Sequence, residues 1–541
     1  MRDKTVATEV IESLRDIGVR HVFGVPSGGW VDYMEALRRT EGIDFVLATH
    51  EGGAAFMADV CGRLTGAPGV CFGTFGPGAT NLSTGVGSAL LDRSPMIAFT
   101  DEMGADMRGR TTQMEIDHQS LFAPVTKVTT RLEADSARQI IMEAARVALS
   151  ERPGPVHIGL PVGMSAQLAV PSKAQLPAMD SVVPADQSVL AEGAALLQEA
   201  KKPLFTLGLG AVRAGVSKQV IALAEQLQAP VILTPMAKGM LDEEHPLYAG
   251  VLFHALSDVV AITYGQADLI VAVGYDPVEF NFEQWMPAVS LLNLDTIAVD
   301  IDRDAYPRVV DATGDIAVSL DYLARGQLQS RDWDVAALAE RRAQMFQRMK
   351  SNTGAFGPCS SLEVLREVFP QEGIMTCDVG AHIHLIGQKW QTPAPGKQIM
   401  TNGWSAMGFA IPAAIAAKLS RPDLPVCAVV GDGGFLMTAG ELAVAVRENL
   451  DIVFVVFTDN DLALIRIKQE KKDNPVYGTP IREQGTIGGD NIFGVPVLKA
   501  HDASAYRAAL EQAMATPGPV IVEAIVDSRE YDDLVLRSNK L

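Results

Sequence analysis

The strongest constraint on the fold is a repeated succession of short apolar run, glycine-containing turn and helical pattern. The helical pattern VIESLRDIGV leads into the strand-like run HVFGVP, and the helical VSKQVIALAEQLQ later leads into APVILT. Strands that alternate with helices in this way form parallel sheets with helices on both faces. The sequence therefore predicts an α/β protein built from doubly wound parallel sheets.

Two segments without periodicity divide the chain into three units. The first follows residue 162 and reads SAQLAVPSKAQLPAMDSVVPADQ, with no helical or strand period. The second is RGQLQSRDWD near residues 325–334, which a charged helical pattern follows. Segments of this kind mark domain boundaries. We therefore predict units at 1–170, 190–330 and 358–541, each large enough for a core of its own.

The charge balance limits the kinds of partner. The chain has 45 Lys and Arg against 65 Asp and Glu, a formal net charge of −20, whereas nucleic acids and acidic membranes attract cationic surfaces. No apolar run approaches the ~18–20 residues that span a bilayer, and the start of the chain lacks the apolar stretch of a secretory signal. The five cysteines form no CxxC pair and are predicted to be reduced core residues. These features predict a soluble, cytoplasmic protein that acts on a small molecule.

Two acidic loops follow consecutive buried strands near the end of the chain. The apolar run at 426–430 ends in Gly-Asp432-Gly-Gly-Phe, and the run at 452–457 ends in Thr-Asp459-Asn-Asp461. The helical stretch MTAGELAVAVREN lies between them, so both loops belong at the edge where open parallel sheets bind ligands. Glycine N–H groups can approach a phosphate, and carboxylates suit Mg²⁺. Two ordinary acidic turns are the alternative.

These two loops resemble the diphosphate motif of the thiamin-diphosphate-dependent enzymes. The resemblance implies that Mg²⁺ binds the carboxylates of Asp432 and Asp459 and the main-chain carbonyl of Asp461. Asp459 stands where the family has Asn, a change that keeps an oxygen ligand and adds a charge.

A glutamate in the first unit forms the other half of the pattern. Glu51 follows the apolar run FVLATH and opens the helical pattern EGGAAFMADVCGRLTG. Taken alone, it would be a carboxylate stabilised by the helix dipole. With the later turn GTFGPGATN, the segment resembles the glutamate segment of the same family. The resemblance implies that Glu51 is catalytic and shares a proton with the cofactor's aminopyrimidine in a poorly solvated site.

The resemblance covers nearly the whole chain and is most specific to the acetohydroxyacid and acetolactate synthase-like branch. It rests on the segments HVFGVPSGG, LGLGAVRAG, TPMAKGMLDEEHPLYAG, VGYDPVEFNFEQW, CDVGAHIHLIGQKW and NGWSAMGFAIPAAIAAK. It implies an aminopyrimidine-binding domain at 1–170, a middle Rossmann-like domain at 190–330 and a diphosphate- and Mg²⁺-binding domain at 358–541. The implied activity is decarboxylation of a 2-oxo acid with carboligation to a second carbonyl.

The resemblance also implies the cofactor contacts, residue by residue. In the first unit they are Pro26, Glu51, Thr74 and Asn81. In the third they are Val379, Gly380, Ala381, His382, Ser405, Met407, Asp432, Gly433, Gly434, Asp459, Asp461, Leu462, Ala463, Leu464 and Ile465. Met407 is implied to lie beneath the bent cofactor. Without the resemblance, His382 would equally be a capping or surface residue, and Met407 core packing.

The first turn of the chain bears on the type of reaction. Residues 26–29 read Pro-Ser-Gly-Gly and contain no acid or base where simple pyruvate-type decarboxylases carry an Asp. The later loop has the single His118 instead of their His pair, and a lone histidine is more often a core or surface residue. Lack of a proton donor favours a transferase that ligates. The alternative is a lyase: a non-ligating decarboxylase or C–C lyase for an anionic, sulfonated or acyl-CoA substrate.

Gly28, Gln113 and Lys468 are predicted to face the substrate. Gln113 stands where the synthases have Phe, so it either bonds a substrate carbonyl as a catalytic residue or is a buried amide that holds its own loop. Lys468 stands where the anabolic enzymes have Trp; it either attracts an anionic acceptor or is a solvated lysine. The segment GYDPVE lacks the arginine pattern of the anabolic enzymes and resembles the catabolic acetolactate synthases, so FAD is not expected.

The quaternary structure follows from the same resemblance. Glu51 and the metal loop lie in different units, and in the family the first domain of one subunit meets the third domain of another. A homodimer is therefore the smallest competent species that we expect, and a homotetramer is the predicted assembly.

Overall fold

Three sheets organise the chain, one in each unit. The computed structural model describes residues 4–179, 181–252, 254–279, 286–326, 328–351, 354–482 and 485–535. Two sheets have six strands and the third has seven. This architecture confirms the predicted class of doubly wound parallel sheets, while the exact unit boundaries stay predictions. Residues 280–285, part of the quoted segment VGYDPVEFNFEQW, lie outside the described residues.

The first sheet has the strand order β2-β1-β3-β4-β6-β5, with every pair parallel. Its strands are β1 His21–Gly24, β2 Asp44–Leu47, β3 Gly69–Gly73, β4 Met96–Glu102, β5 Val128–Arg131 and β6 Pro155–Pro161. The helices are α1 Val6–Asp16, α2 Val31–Arg39, α3 Glu51–Thr65, α4 Pro77–Leu91, α5 His118–Phe122 and α6 Ala137–Leu149. Strands β3 and β4 are buried along their whole length, as expected where helices cover both faces.

The second sheet has the order β12-β11-β10-β7-β8-β9 and is also parallel throughout. Its strands are β7 Pro203–Leu207, β8 Val231–Leu233, β9 Tyr248–Val251, β10 Leu269–Val273, β11 Ser290–Asp295 and β12 Val309–Thr313. The helices are α7 Gln187–Glu199, α8 Leu209–Ala214, α9 Ser217–Leu227, α10 Ser257–Tyr264, α11 Ile316–Ala324 and α12 Val335–Arg348. The last of these is the charged helix expected after the second linker.

The third sheet has the order β14-β13-β15-β16-β19-β18-β17, parallel except for the short β17–β18 pair. Its strands are β13 Ile374–Cys377, β14 Gln398–Met400, β15 Val426–Gly431, β16 Ile452–Thr458, β17 Asn491–Ile492, β18 Val495–Ala500 and β19 Val520–Ile525. The helices are α13 Pro358–Val368, α14 Ala381–Lys389, α15 Ala410–Ser420, α16 Asp432–Thr438, α17 Leu442–Arg447, α18 Ala463–Glu470 and α19 Ala503–Ala515. The two acidic loops follow neighbouring parallel strands, as predicted.

The third sheet contributes to two hydrophobic cores, and each of these cores extends into one of the other two units. Along β16, Ile452, Phe454 and Val456 belong to a core shared with the first unit. The alternate residues Val453 and Val455 belong to a core shared with the middle unit. Successive side chains of a strand point to opposite faces, so this one strand contributes to both cores.

The helix after the first acidic loop begins earlier than the sequence pattern predicted. The apolar period starts at Met437, but α16 already begins at Asp432, with the extended residue Gly431 as its N-cap. A 3-10 turn over Ala439–Glu441 then separates α16 from α17. The hydrophobic period does not extend to the start of α16, because the two glycines in the first turn have no apolar side chain.

Two further predictions concern the cysteines and the membrane. All five cysteines are buried and free, which confirms that they are core residues. None of the helices in the described parts of the chain has both the length and the apolar character needed to cross a bilayer.

Candidate active site

A cavity of about 250 Å³ opens at the carboxyl ends of β13, β15 and β16. All fifteen cofactor contacts predicted in the third unit line it, from Val379 to Ile465. Three further lining residues, Gly431, Phe457 and Tyr531, were not predicted. Tyr531 comes from a 3-10 turn near the end of the described chain, a position that no local motif marks. The cavity lies where ligands bind in open α/β sheets.

Two glycines keep the backbone of the first acidic loop accessible. A Cβ atom on Gly433 would lie 2.9 Å from Leu462 Cδ2, and one on Gly434 would lie 2.6 Å from a carboxylate oxygen of Asp378. Any larger residue would therefore disturb the loop. The resulting first turn of α16 presents backbone N–H groups of the kind that bind phosphate.

Asp432 and Asp459 place two carboxylates side by side in this cavity. Asp432 accepts hydrogen bonds from the backbone N–H of Gly433 (2.9 Å) and of Asn460 (2.8 Å). Asp459 accepts one from the N–H of Asp461 at 3.1 Å. Burial raises the pKa of Asp432 to about 6. Burial, followed by repulsion from Asp432, raises the pKa of Asp459 to about 8. A cation bound beside the two carboxylates would remove this repulsion.

The donor set fits a hard divalent cation. Asp461 Oδ1 is buried without a hydrogen-bond partner, and its other oxygen lies 3.2 Å from Arg466 Nε. The described residues contain no cluster of three or more His, Cys, Asp or Glu side chains arranged for a metal. Asp432 and Asp459 could supply two carboxylate ligands, and a bound molecule could supply others. An all-oxygen set of this kind suits Mg²⁺.

His382 and Met407 lie beside different glycines of the acidic loop, Gly431 and Gly433. His382 is buried, and its Nε2 has no hydrogen-bond partner. Burial lowers the pKa of this imidazole to about 4, with a smaller contribution from His384, so the ring is neutral near pH 7. Met407 is half-buried, with its Cε next to Gly433. An unpartnered nitrogen and a flexible thioether are both available to a ligand in the cavity.

Asp378 positions the cavity wall, a role that the sequence analysis did not assign. Its carboxylate accepts from the N–H of Val379 (2.7 Å) and of Gly408 (2.9 Å), and so ties the loop after β13 to the residue after Met407. Burial raises the pKa of Asp378 to about 7. The residue lies in the quoted segment CDVGAH, but its long-range partner could not be inferred from that segment.

Glu51 begins α3 in the first unit and is nearly buried, with 9% of its surface exposed. The side-chain amide of Asn81, on α4, donates a hydrogen bond to Glu51 Oε2 at 3.0 Å. Oε1 lies beside Gly78, where the side chain of Thr74 also packs. Pro26 is exposed in the neighbouring turn. The structure thus groups Glu51, Asn81 and Thr74, three of the predicted cofactor contacts.

Glu441 of the third unit holds the start of α3. Its carboxylate accepts from the N–H of Thr49 (3.2 Å) and of His50 (3.0 Å). A Cβ atom at Gly53 would collide with this carboxylate, so the glycine is required for the close approach. No local sequence pattern marks Glu441, because its partners are almost 400 residues away in sequence.

One chain does not bring the two halves of the predicted site together. Among the described residues, those that line the cavity all lie between Val379 and Tyr531. Glu51, Asn81 and Thr74 are absent from its lining. The predicted contacts therefore form two separate groups in a single chain.

The predicted substrate residues are all accessible. Gly28 is exposed in the single chain, and so is Gln113 in the segment between β4 and α5. Lys468 is exposed on α18, one turn after the lining residue Ile465. His118 is buried: Nε2 accepts from the N–H of Gly76 (3.2 Å) and Nδ1 lies 2.9 Å from Thr100 Oγ1. It is a core histidine, as its lone position suggested.

Family models match all three units. Residues 4–121 match the description "Thiamine pyrophosphate enzyme, N-terminal TPP binding domain". Residues 190–323 match the central domain of the same enzymes, and residues 378–524 match their C-terminal TPP binding domain.

Similar proteins cover the chain from end to end. An "Acetolactate synthase" of Bacillus subtilis is 28% identical over 98% of this chain and 94% of its own length. An "Acetolactate synthase isozyme 1 large subunit" of Escherichia coli is 30% identical over 97% of this chain and 94% of its own. A "Probable acetolactate synthase large subunit" of Methanocaldococcus jannaschii is 28% identical over 99% and 94%.

Proposed function

The chain belongs to the thiamine pyrophosphate enzyme family, in its acetolactate synthase-like branch, and we propose that it decarboxylates a 2-oxo acid and ligates the remaining fragment to a second carbonyl compound. Thiamin diphosphate supplies the nucleophilic carbon and the electron sink for this chemistry when it is bound. The observation that carries the proposal is the pairing of two features, the glutamate–asparagine pair and the cavity with two carboxylates.

Mg²⁺ is the cation that we propose for the cavity. Asp432 and Asp459 would bind it through their carboxylates, and Asp461 through its carbonyl. The close approach of the two acids, which adds to burial in raising the pKa of Asp459, supports this assignment. The N–H groups at the start of α16 would hold the diphosphate that bridges to the metal.

Glu51 is proposed to hold a proton on the aminopyrimidine ring. Its carboxylate is nearly buried, and the Asn81 amide fixes Oε2. A carboxylate so shielded from water can exchange a proton with a ring nitrogen without competition from solvent. Glu441 fixes the start of α3 and so determines where this carboxylate lies.

The proposed site requires a second copy of the chain. The glutamate group and the diphosphate cavity are separate in one chain, and α16 carries two exposed apolar side chains, Leu436 (50%) and Met437 (59%). Since α16 begins at Asp432, a second copy that covers these side chains would also approach the cavity. We propose a homodimer as the minimum, with a homotetramer as the complete assembly, and sedimentation measurements would distinguish the two.

Mixing two inactive variants tests whether the site is shared. Glu51→Gln chains mixed with Asp432→Ala chains are expected to recover about a quarter of wild-type activity, since half of random dimers are mixed and each mixed dimer has one intact site. The readout is CO₂ release after co-expression of both chains.

The control reverses the arrangement. Wild-type chains mixed with chains that carry both substitutions retain about a quarter of activity if the site is shared, and about half if each chain uses its own residues. Failure of the first mixture together with half activity in the second would refute the shared site.

Ligation, and hence a transferase, is proposed over simple decarboxylation. The open space around Gly28, where an added Cβ atom would meet nothing within 4 Å, leaves room for a second carbonyl compound. Lys468 lies one turn from the lining residue Ile465, where its charge would favour an anionic acceptor. Gln113 would donate to a carbonyl or carboxylate oxygen of the substrate.

The middle unit is proposed to hold no FAD. Dinucleotides place their diphosphate at a glycine-rich turn that leads into a helix, which here is the turn before α8. Glu279 already accepts from the N–H of Leu209 (2.8 Å) and from the hydroxyl of Thr234 (2.6 Å). An acidic group therefore occupies the position that the diphosphate would need. The purified protein should show no flavin absorbance.

Glu279→Gln is expected to flatten the pH dependence of stability. Burial raises the pKa of Glu279 to about 8 from its ordinary value of 4.5. Between these values the folded protein keeps a proton that the unfolded chain releases, so the free energy of unfolding falls as the pH rises, by up to about 1.4 kcal/mol per pH unit. Below pH 4.5 the group contributes nothing.

The measurement is the Tm of the cofactor-free protein at pH 5 and pH 8. The wild type should lose more stability between these pH values than Glu279→Gln. Glu199→Gln, an exposed site in the same unit, serves as the matched control and should follow the wild type. Parallel curves for all three proteins would refute the assignment.

A panel of 2-oxo acids tests the function. The enzyme, reconstituted with thiamin diphosphate and Mg²⁺, is incubated with pyruvate, 2-oxobutyrate and a sulfonated 2-oxo acid, and CO₂ and ligation products are measured separately. Ligated product that accounts for the CO₂ released supports the synthase. Aldehyde equal to the CO₂, without ligated product, would instead establish a decarboxylase.

A further inference from the structure

A buried carboxyl group lies directly beneath the first turn of the chain. The turn itself has no acid or base, but Asp101, at the end of β4, is only 2% exposed and accepts a hydrogen bond from Ser27 Oγ at 2.7 Å. A Cβ atom at Gly29 would collide with the same carboxylate. A glycine at position 29 therefore allows an acid from a distant strand to reach the turn.

The surroundings of Asp101 contain hydroxyl groups but no cation. From the turn after β3 the Thr74 side chain donates a second hydrogen bond, and from α2 the Tyr33 phenol faces the carboxylate. Among the described residues, no Lys, Arg or His forms an ion pair with Asp101. Burial raises the pKa of Asp101 to about 6, against the opposing hydrogen bonds of Ser27 and Thr74. Both protonation states are thus accessible near neutral pH.

Thr74 and Ser27, the hydroxyl neighbours of Asp101, connect this carboxyl to the residues around Glu51 and Gly28. Thr74 and Glu51 pack against the same glycine, Gly78. Ser27 is half-buried between exposed neighbours on both sides. The Asp101 carboxyl is almost completely buried, so a proton cannot leave it directly into solvent. A proton that moves from Asp101 toward Gly28 would pass through the Ser27 hydroxyl.

Ser27 and Asp101 have the geometry of a two-step proton relay. A proton moves readily between oxygen atoms that share a hydrogen bond of 2.7 Å. A clip that only joins two turns would not need a titratable group, because an amide of the same shape could accept the same hydrogen bonds. The distinction between relay and clip can therefore be tested by substitution.

Building on the function proposed above, we propose that Asp101, acting through Ser27, delivers the proton that the acceptor's carbonyl oxygen takes up during ligation. The electron pair left by CO₂ forms the new carbon–carbon bond, and the acceptor's C=O electron pair moves onto its oxygen. In the protonated state Asp101 donates to Ser27 Oγ, the reverse of the hydrogen bond that its charged carboxylate accepts, and the Ser27 O–H turns toward the acceptor oxygen. The Ser27 O–H proton then passes to that oxygen while the Asp101 proton passes to Ser27 Oγ. Asp101 then regains a proton from water. In this scheme Asp101 is a positioning and relay residue.

Asp101→Asn separates the relay from the clip, because it keeps the shape and removes the proton. Ligated product per CO₂ should fall about 100-fold, while CO₂ released in a single turnover stays within about threefold of the wild type. The rate of ligation by the wild type should fall as the pH rises through about 6. The pH profile of Asp101→Asn should show no such fall.

Ser27 variants provide the second arm. Ser27→Ala should match Asp101→Asn, and the double variant should be no worse than either, because the two groups act as one unit. Ser27→Thr, which keeps a hydroxyl, should recover ligation. Asp135→Asn removes an exposed acid from the same unit and should leave every readout unchanged.

Titration of the cofactor-free protein gives a readout that does not depend on activity. The infrared C=O stretch of a protonated carboxyl, recorded as wild type minus Asp101→Asn, should appear with a midpoint near pH 6. Ser27→Ala should raise the midpoint, since the Ser27 hydrogen bond favours the charged form.

Three results would overturn the relay. The first is ligation by Asp101→Asn at the wild-type rate with the same pH profile, which would leave Asp101 as a clip. The second is an Asp101→Asn variant that loses aldehyde formation and keeps ligation, which would mean that Asp101 delivers its proton to the carbon left by CO₂ and not to the acceptor's oxygen. The third is a carboxyl with an ordinary midpoint. Absence of ligated product from the wild type itself would instead overturn the proposed function, and with it the relay.

Discussion

Glu51→Gln is expected to lower the turnover of 2-oxo acids by about 10²–10⁴-fold, the usual contribution of a positioned acid–base group. The amide can replace Glu51 in the hydrogen bond with Asn81, which has both a donor and an acceptor in its side chain, so α3 should keep its structure. It cannot carry the proton. Affinity for thiamin diphosphate should therefore change much less than kcat.

Steady-state CO₂ release and calorimetric binding of the cofactor measure the two quantities separately. Glu133→Gln is the matched control, since it removes an exposed glutamate of the same unit, and it should retain full activity. Turnover by Glu51→Gln equal to that of the wild type would disprove the role of Glu51. A parallel collapse of Tm would show instead that the charge is structural.

Asp432→Ala is expected to weaken Mg²⁺-dependent binding of thiamin diphosphate by more than about 100-fold. Loss of groups that only support a ligand already costs about 10–100-fold in metal affinity, and Asp432 is proposed as a direct ligand. Its carboxylate also accepts two backbone hydrogen bonds that shape the loop. A cofactor present at about 100 times its Kd stabilises the wild type by about 2.7 kcal/mol, and this gain should disappear in the variant.

Asp459→Asn provides the matched comparison, because it keeps an oxygen ligand and removes a charge. It should retain Mg²⁺-dependent binding and should raise the Tm of the cofactor-free protein, because the amide needs no proton to lie beside Asp432, whereas the pKa of Asp459 is raised to about 8 and its carboxyl must take up a proton on folding. Calorimetry with and without Mg²⁺ measures the binding. Equal affinity of wild type and Asp432→Ala in the presence of Mg²⁺ would contradict the metal assignment.

The features that could be predicted from the sequence are those that a short stretch of chain determines. Buried β-branched runs ending in glycine or in Thr-Asp predicted β15, β16 and both acidic loops. Parallel strands end at the same edge of a sheet, so the local sequence of each strand was enough to place its loop. The same local logic placed Glu51 at the start of α3. It failed at the start of α16, where glycines interrupt the hydrophobic period.

The residues that sequence analysis missed depend on contacts between distant segments. Asp101 reaches the first turn across the sheet, Glu441 reaches the start of α3 from another unit, and Asp378 joins two loops of the cavity wall. Each is an acid at a strand end or in a turn, which is also where ordinary solvated acids occur. Only the three-dimensional arrangement distinguishes them, through burial and specific donors.

The position of the third sheet between the other two units has a consequence for folding. Alternate residues of β16, such as Phe454 and Val455, belong to different cores, and each of these cores continues into another unit. The third unit produced alone would expose apolar surface on both sides, which favours aggregation. Three regions that look independent in the sequence therefore share two cores, and separating any one of them would uncover apolar surface.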